Sequence, residues 1–372
     1  MCTAPMHGRT IEELSNEELE YYSRQIVLPA IGYDGQLRLR NAKVCIVGLG
    51  GLGSPAALQL TAMGVGHLRL VDYDVVELSN LQRQHLYDIH SLGYAKVEVA
   101  AMRLRDLNPH VQIEPLPLFL SESNAQDIVR DMDVVVDGLD RMSPRYALNR
   151  ACVNLGVPYI FGAAVSTYGN VSTIIPGTTA CVECFQRGFD DDSLPTCAVV
   201  GVHPSIINMI ASIEVSEAIR VLLGQKPRLA NGLLHCDVEY LEFEKLDLSK
   251  ADDCPVCGSE LTAPAAIPEH RLVTELCARQ GLRTFVIAPR RDLALDMSEV
   301  RSLLSKGGFD TKVEGELGIT FDRKGKKTVS LLKSGVMIVE DAADEQEAYD
   351  FYGELVFEGL HISPSAVEGV TS

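Results

Sequence analysis

The amino-acid sequence predicts an α/β protein built on a Rossmann-like, doubly wound, mostly parallel sheet, and three observations carry that expectation. KVCIVG (43–48) is a short β-branched apolar run of the kind that a parallel strand buried on both faces requires, and it ends in glycine. GLGGLG (48–53) is followed by Ser54 and Pro55, a cap and a first-turn proline, then by AALQLTAM and a terminating Gly64, so strand, tight turn and helix succeed one another. Strand-like and helix-like segments then alternate through the first half of the chain, the order that places helices on both faces of one sheet.

Residues 11–39 read as helical, with apolar residues three and four apart in IEELSNEELEYYSRQIVL. HLRLVD (67–72) is the second strand, and YAKVEVAAMRLRDLN puts Val97, Ala101, Leu104 and Leu107 on one helical face. HVQIEPLPL and DVVVDGLD read as strands, RYALNRACVNLG as a helix and VPYIFGA as the strand after it. From 170 to about 247 the pattern changes to a β-hairpin region, a cysteine-bearing loop, a long apolar helix (205–223) and two further strands. TAPAAIPEH (262–270) reads as a Pro/Ala linker. Beyond it RTFVIAP, FDTKVEG, LGITFDR, KTVSLLK and GVMIVE read as strands, with helices near 296–305 and 343–359, a small α+β module. The expected organisation is therefore a nucleotide-type domain over 1–261, a linker over 262–271 and an accessory domain over 272–372.

The 372 residues, 46% of them hydrophobic, suffice to bury full cores in two unequal domains. A formal charge of −18 argues against a general nucleic-acid or anionic-membrane binder, so any phosphate site must be a local cationic pocket. No apolar run approaches the roughly 20 residues of a membrane span, and the early acids Glu12, Glu13, Glu17 and Glu18 are unlike a secretory leader, which leads us to expect a soluble cytoplasmic protein. Of ten cysteines, four form two Cys-x-x-Cys pairs and the rest are scattered, so metal binding in a reducing compartment fits better than a disulfide framework.

Gly48-x-Gly50-x-x-Gly53 lies between strand and helix, where backbone amides and a helix N-terminus form an anion site. Asp72 follows the last glycine by about 20 positions, the spacing at which an acid meets ribose hydroxyls. Together they point to a nucleotide without naming it; the alternative is that the glycines serve only close packing. Ser79, Asn80, Leu81, Gln82, Arg83 and Gln84 form a loop at the carboxyl edge of the sheet, from which Arg83 can reach phosphate oxygens. Lys96, in the first turn of a helix, opposes the helix dipole unless an anion such as a triphosphate is near. Asp140 lies at the same edge and can either hold Mg²⁺ or cap the next helix; Arg83 and Lys96 have the plain alternative of solvated cations. Cys181-x-x-Cys184 and Cys254-x-x-Cys257 can complete a tetrahedral thiolate shell around one structural Zn²⁺, the alternative being a redox dithiol.

Taken together, Tyr22 to Leu28 (YSRQIVL), GLGGLG, Asp72, Asn80-Leu81-Gln82-Arg83-Gln84, Lys96, Asn108-Pro109, Asp140 with Arg145 and Asn149, and the paired cysteines resemble the MoeB/ThiF/HesA branch of the ubiquitin-activating enzyme superfamily over roughly residues 15–260. The resemblance implies an ATP-dependent adenylyltransferase that activates the C-terminal glycine carboxylate of a small ubiquitin-like sulfur-carrier protein as an acyl adenylate, for molybdopterin or thiamine biosynthesis. It implies that Asp72 binds ribose, that Gly51 and the Asn80–Gln84 loop border the nucleotide, that Arg83 and Lys96 hold phosphates, and that Asp140 organises Mg²⁺. It further implies a homodimer in which Arg24 serves the neighbouring subunit's site, and a sulfur donor protein as a second partner. Arg141 departs from the pattern, since these enzymes usually carry Asn or Ser after the metal-binding Asp; it can contact phosphate or point to solvent. Cys197, in the loop after the first pair, resembles a cysteine that forms a thioester or persulfide with the carrier, although its neighbouring aspartates disfavour the thiolate. Two competing functions are adenylation of a small-molecule carboxylate and NAD-dependent oxidoreduction, and the second leaves Arg83, Lys96, Asp140 and the cysteine pairs without purpose. The 272–372 module carries Cys277 but no rhodanese-like active loop, and reads as a docking or dimer-supporting domain, with ligand sensing as the alternative.

Overall fold

The computed structural model describes residues 13–189, 191, 200–259, 264, 267, 271–279, 282–323 and 328–368. The opening helical stretch is broken into α1 (Asn16–Tyr21), α2 (Ser23–Ile26) and α3 (Gly32–Arg40). Pro29 has no N–H to continue a helix, and Gly32 takes φ +64°, a value that ends one segment and re-aims the next. Ser15 caps α1 in a reciprocal box with Glu18.

The first sheet carries β1 (Lys43–Val47), β2 (His67–Val71), β3 (Gln112–Leu116), β4 (Val134–Asp137), β5 (Tyr159–Val165), β6 (Tyr168–Ile174), β7 (Gly232–Asp237) and β8 (Glu242–Asp247), hydrogen-bonded in the order β3-β2-β1-β4-β5-β6-β7-β8. Strands β1 to β5 pair in parallel, whereas β5 to β8 pair antiparallel, so the sheet is mixed with a Rossmann-like half. Alternate residues of β1 sort into different layers. Val44 and Ile46 join the core formed with α4 (Gly53–Ala62), α5 (Lys96–Leu107) and a long helix, Pro204–Leu222. Cys45 and Val47 join the opposite core with α6 (Ala125–Val129) and α7 (Met142–Leu155). Burial on both faces is why these strands read as continuous apolar runs.

Three local expectations are corrected. Helix α4 begins at Gly53, so Ser54 lies inside its first turn with a buried hydroxyl that has no partner among the described residues, and does not cap it. Leu107 is 36% exposed. Ten residues after Val97 the helix has turned about 80° off the buried stripe, which only Val97, Ala101 and Leu104 keep. The hairpin starts earlier than residue 170, since β5 and β6 are its two arms. The short α6, strand β9 (Val273–Arg279) and a final helix (Pro364–Glu368) are additional to the sequence reading.

The C-terminal module is a distinct α+β unit, its sheet completed by β10 (Leu282–Ile287), β11 (Asp310–Glu314), β12 (Gly318–Asp322), β13 (Thr328–Leu332) and β14 (Met337–Glu340) in the order β11-β12-β13-β14-β10-β9. One face, with Phe285, Phe321 and Met337, packs in a core with helices Met297–Gly307 and Glu345–Tyr352. The other face sends Val286, Leu332, Val336 and Ile338 into the same buried cluster as Val75, Ala95 and Val99 of the first unit. Most of the expected linker, 262–271, lies outside the described residues.

Candidate functional site

The glycine turn between β1 and α4 separates two uses of glycine. Gly48 takes φ +88° and a Cβ there would lie 2.5 Å from the Gly138 carbonyl oxygen, while one on Gly53 would lie 1.8 Å from the Gly48 oxygen. Those two are required by packing. A Cβ on Gly50 would meet only Gln84 Nε2, at 3.7 Å, and one on Gly51 only the flexible end of Ile207, at 2.9 Å. The Gln84 side chain is buried, and its Oε1 has no partner among the described residues. No described side chain caps the α4 N-terminus that the turn feeds. The chain thus brings a helix N-terminus without a side-chain cap, a side-chain-free Gly50 and the Nε2 donor of Gln84 to one place.

Asp72, just past β2, fastens this turn: its carboxylate accepts the N–H of Leu49 at 2.7 Å and that of Asp74 at 2.8 Å. Burial pushes its carboxyl above the usual carboxylate range, with Lys96 opposing and Asp74 adding to the rise. Each oxygen keeps lone-pair capacity for a further donor. Lys96 is the first residue of α5 and is 5% exposed. Its ammonium meets the carboxylate of Asp74 at 2.7 Å, so the anion that offsets the unfavourable helix dipole is supplied by the chain itself. Sequence reasoning passed over Asp74, though an acid two residues beyond Asp72 in VDYDVV was the available signal. In the following loop Asn80 is buried and accepts the Glu77 N–H at 3.1 Å, and Arg83 donates to the Ser79 carbonyl at 2.9 Å, curling the loop over the sheet edge. Ser79 and Gln82 are exposed and Leu81 is half-buried.

Asp140 is exposed on the loop between β4 and α7. It does not cap α7: Arg141 holds the N-cap position, and Asp191 accepts from the backbone N–H groups of Met142 and Ser143 at 2.5 and 3.3 Å. Arg141 Nε lies 3.9 Å from that same Asp191 carboxylate. The loop is held from beneath by Arg145, 5% exposed, which donates to the Asp137 carboxylate at 2.8 Å and to the carbonyls of Leu139 and Gly162. Asp137 is wholly buried and also accepts the Tyr159 hydroxyl. Neither Asp137 nor Asp191 was singled out from sequence. An acid closing a wholly apolar run, DVVVD, was a sign that a buried charge awaited a cation.

Cys181, Cys184, Cys254 and Cys257 converge, with all four sulfurs within 4.8 Å of one another. Cys181 and Cys254 sulfurs lie 3.6 Å apart and those of Cys184 and Cys257 3.4 Å apart. A tetrahedral thiolate shell with metal–sulfur bonds near 2.3 Å needs separations of about 3.8 Å, so the donor set fits a zinc-sized ion. Each pair is drawn into a tight knuckle by a backbone bond, Cys184 N–H to the Cys181 carbonyl at 2.9 Å and Gly258 N–H to the Cys254 carbonyl at 2.8 Å. Hydrogen bonding to Cys181 pushes the Cys184 thiol below the usual thiol range.

Arg24 and Cys197 stand apart from the residues just described: the first was expected to serve a neighbouring subunit's site, and the second is not among the described residues. Arg24 is exposed on α2, which packs through Gln25 against the Met63 carbonyl at the far end of α4. The ten residues of α4 separate that end from the glycine turn by about 15 Å.

Fold and site define the class: a Rossmann-like α/β protein with a glycine turn, an acid after the second strand, cations at the sheet edge and a four-cysteine cluster. The ThiF family profile matches residues 22–256, and the chain belongs to that family. It is 41% identical over 275 residues to a Thermus thermophilus protein named sulfur carrier protein adenylyltransferase, covering 72% of this chain and 99% of that one. It is 39% identical to the SAMP-activating enzyme E1 of Haloferax volcanii, covering 66% of this chain and 91% of that one. A Drosophila grimshawi adenylyltransferase and sulfurtransferase, MOCS3, is 40% identical over 67% of this chain but only 56% of its own length. Among solved structures, E. coli MccB with AMPCPP and MccA superposes with a TM-score of 0.58 at 25% identity, over 64% of this chain and 74% of that one. No described helix is long and apolar enough to cross a membrane.

Proposed function

We propose that this protein uses ATP to activate the C-terminal glycine carboxylate of a small ubiquitin-like sulfur-carrier protein, forming an acyl adenylate and pyrophosphate. The observation that carries the reading is the gap beside Gly50. The chain has no packing need for glycine there, and it lies beside the donor Nε2 of Gln84 and a helix N-terminus without a side-chain cap, which suits the close approach of a phosphate chain. The relatives named for sulfur-carrier adenylation and SAMP activation support the choice of acceptor.

In this reading Gly48, Gly50, Gly51 and Gly53 form the cradle, Asp72 accepts from the ribose hydroxyls, and Ser79, Asn80, Leu81 and Gln82 wall the nucleotide. Arg83 and Lys96 hold phosphates, Lys96 exchanging part of its contact with Asp74 for them. A carboxylate oxygen of the carrier forms a bond to the α-phosphorus while the bond from that phosphorus to the leaving pyrophosphate breaks. Both reactants are anionic, so Arg83 and Lys96 offset their repulsion and stabilise charge on the leaving group. Asp140, with Arg141 beside it, would hold Mg²⁺, which neutralises phosphate charge when bound. The cysteine quartet would hold Zn²⁺ as a structural tie between α8 (Val182–Phe185) and the 254–258 knuckle.

Arg24 acts from a second copy in a homodimer: exposed Val27 (73%) and Leu28 (51%) follow it by three and four residues, an apolar surface that a partner would cover. The Cys197 thiolate takes the acyl group from the adenylate, forming a thioester as AMP leaves, before a sulfur donor protein completes the transfer in the cytoplasm. The test is ATP–pyrophosphate exchange. Exchange that requires a carrier ending in Gly-Gly, and is lost in Asp140→Ala and Arg83→Ala, is the expected result. Exchange driven by a small acid alone, or near-normal exchange in both variants, refutes it. Cys197→Ala should keep exchange and lose sulfur transfer.

A further inference from the structure

We propose that the C-terminal module is a positioning element of the nucleotide site, acting through Glu98 and Thr320 on the segment that carries Lys96. The inference rests on the nucleotide site described under the proposed function, and it assigns the module a role in that site beyond docking a partner.

Glu98 lies one turn into α5, two residues after Lys96. A glutamate at this third helical position ordinarily folds back on its own N-cap. Here it reaches out of the helix: its two carboxylate oxygens accept the backbone N–H groups of Glu316 and Leu317, each at 2.9 Å, in the turn between β11 and β12. The approach is close enough that a Cβ on Gly315 would fall 2.5 Å from the Glu98 carboxylate. Three residues before Lys96, the Gly93 carbonyl accepts the Thr320 hydroxyl at 2.6 Å, and Thr320 is itself held by Ser330 at 2.8 Å. The module therefore grips the Lys96 segment on both sides.

That segment also leads to Asp72. Gly93 N–H donates to the Val76 carbonyl, Val76 N–H to Tyr94 and Lys96 N–H to the Asp74 carbonyl, each at 2.9 Å, so residues 93–96 and 74–76 move as one small ladder. Asp74 in turn bonds Asp72 and Lys96. A buried apolar cluster that joins Leu332, Val336 and Ile338 to Ala95 and Val99 stiffens the arrangement. A one-turn error in where α5 starts would displace Lys96 by several ångströms, and the module's two grips prevent it.

The experiment measures ATP and adenosine affinity of the full chain by calorimetry, with carrier KM from exchange, in Glu98→Ala, Thr320→Val and Thr320→Ser. Removing a negative charge near a phosphate site would by electrostatics alone tighten ATP binding. Loss of positioning weakens it, so the sign separates the two effects. We expect ATP Kd to rise at least about threefold in Glu98→Ala and Thr320→Val and to return to the wild-type value in Thr320→Ser, with adenosine affinity falling less than ATP affinity and carrier KM unchanged. If Glu98→Ala does not fold, the Thr320→Val and Thr320→Ser pair carries the same comparison. Wild-type ATP affinity in both Glu98→Ala and Thr320→Val, or a rise in carrier KM alone, overturns the inference. Failure of the wild-type chain to bind ATP instead overturns the proposed function.

Discussion

Replacing Arg145 by Met should destabilise the protein by roughly 3–5 kcal/mol, because it strands a buried carboxylate. The guanidinium is 5% exposed and donates to Asp137, Leu139 and Gly162, while Asp137 is fully buried. Methionine fills much of the volume, so cavity formation contributes little and the cost is electrostatic. The Tyr159 hydroxyl and the Leu139 N–H would remain on Asp137, which places the loss below that of a wholly bare charge. Burial raises the Asp137 carboxyl and Arg145 is the first influence drawing it down. Without the arginine its folded value moves further above the unfolded one near 3.9. A carboxyl raised on folding is most stabilising when protonated, so the variant loses stability as pH rises above that unfolded value, by up to about 1.4 kcal/mol per pH unit. The deficit in urea unfolding should therefore be larger at pH 7.5 than at pH 5.5. Adding Asp137→Asn should recover part of it. A loss below about 1 kcal/mol that does not change with pH would refute the assignment of Arg145 as the ion that makes the Asp140 loop possible.

Glycine replacements should separate packing from ligand approach: Gly48→Ala, at φ +88° and against a carbonyl, should cost roughly 2–4 kcal/mol, whereas Gly50→Ala should leave urea unfolding within about 0.5 kcal/mol while weakening ATP binding in calorimetry. Cys254→Ser should lower metal content from one ion per chain and lower the thermal midpoint, and a strong chelator should do the same to the wild type; an unchanged midpoint in both would exclude a structural metal. Glu214 is fully buried, makes no hydrogen bond among the described residues, and burial pushes its carboxyl well above the usual range. The folded state then binds a proton the unfolded chain releases, so wild-type stability should fall relative to Glu214→Gln by up to about 1.4 kcal/mol per pH unit between the unfolded value near 4.3 and the raised folded one, and parallel pH profiles of the two proteins would disprove a neutral Glu214.

The parallel half of the fold was legible because its signals are local. Val44 and Ile46 on one face with Cys45 and Val47 on the other announce a strand buried on both faces, and Gly48 and Gly53 sit where strand and helix must nearly touch. The cysteine cluster was legible for a related reason, since each pair is a rigid local unit and only the meeting of the two needed the fold. What failed also failed locally. Ser54 looked like a cap from its neighbour Pro55, yet the helix starts two residues earlier, at Gly53, which lies close against the Gly48 carbonyl.

The residues that complete the site were hidden because their chemistry is relational. Lys96 looks like a misplaced cation until Asp74 is brought to 2.7 Å by the pairing of residues 74–76 with 93–96. Asp137 looks like a strand end until Arg145 comes round from α7 to meet it. Glu98 looks like a helix-surface acid until a turn more than two hundred residues later presents Glu316 and Leu317 to it. In each case a charge that would be unfavourable alone is made stable by a partner from another element, and the cost of separating them grows as water is excluded. A strongly acidic chain can hold a cationic pocket for this reason. The half-buried Asp74 holds Lys96 in place, so in the proposed reading an arriving phosphate has only to share a cation already positioned.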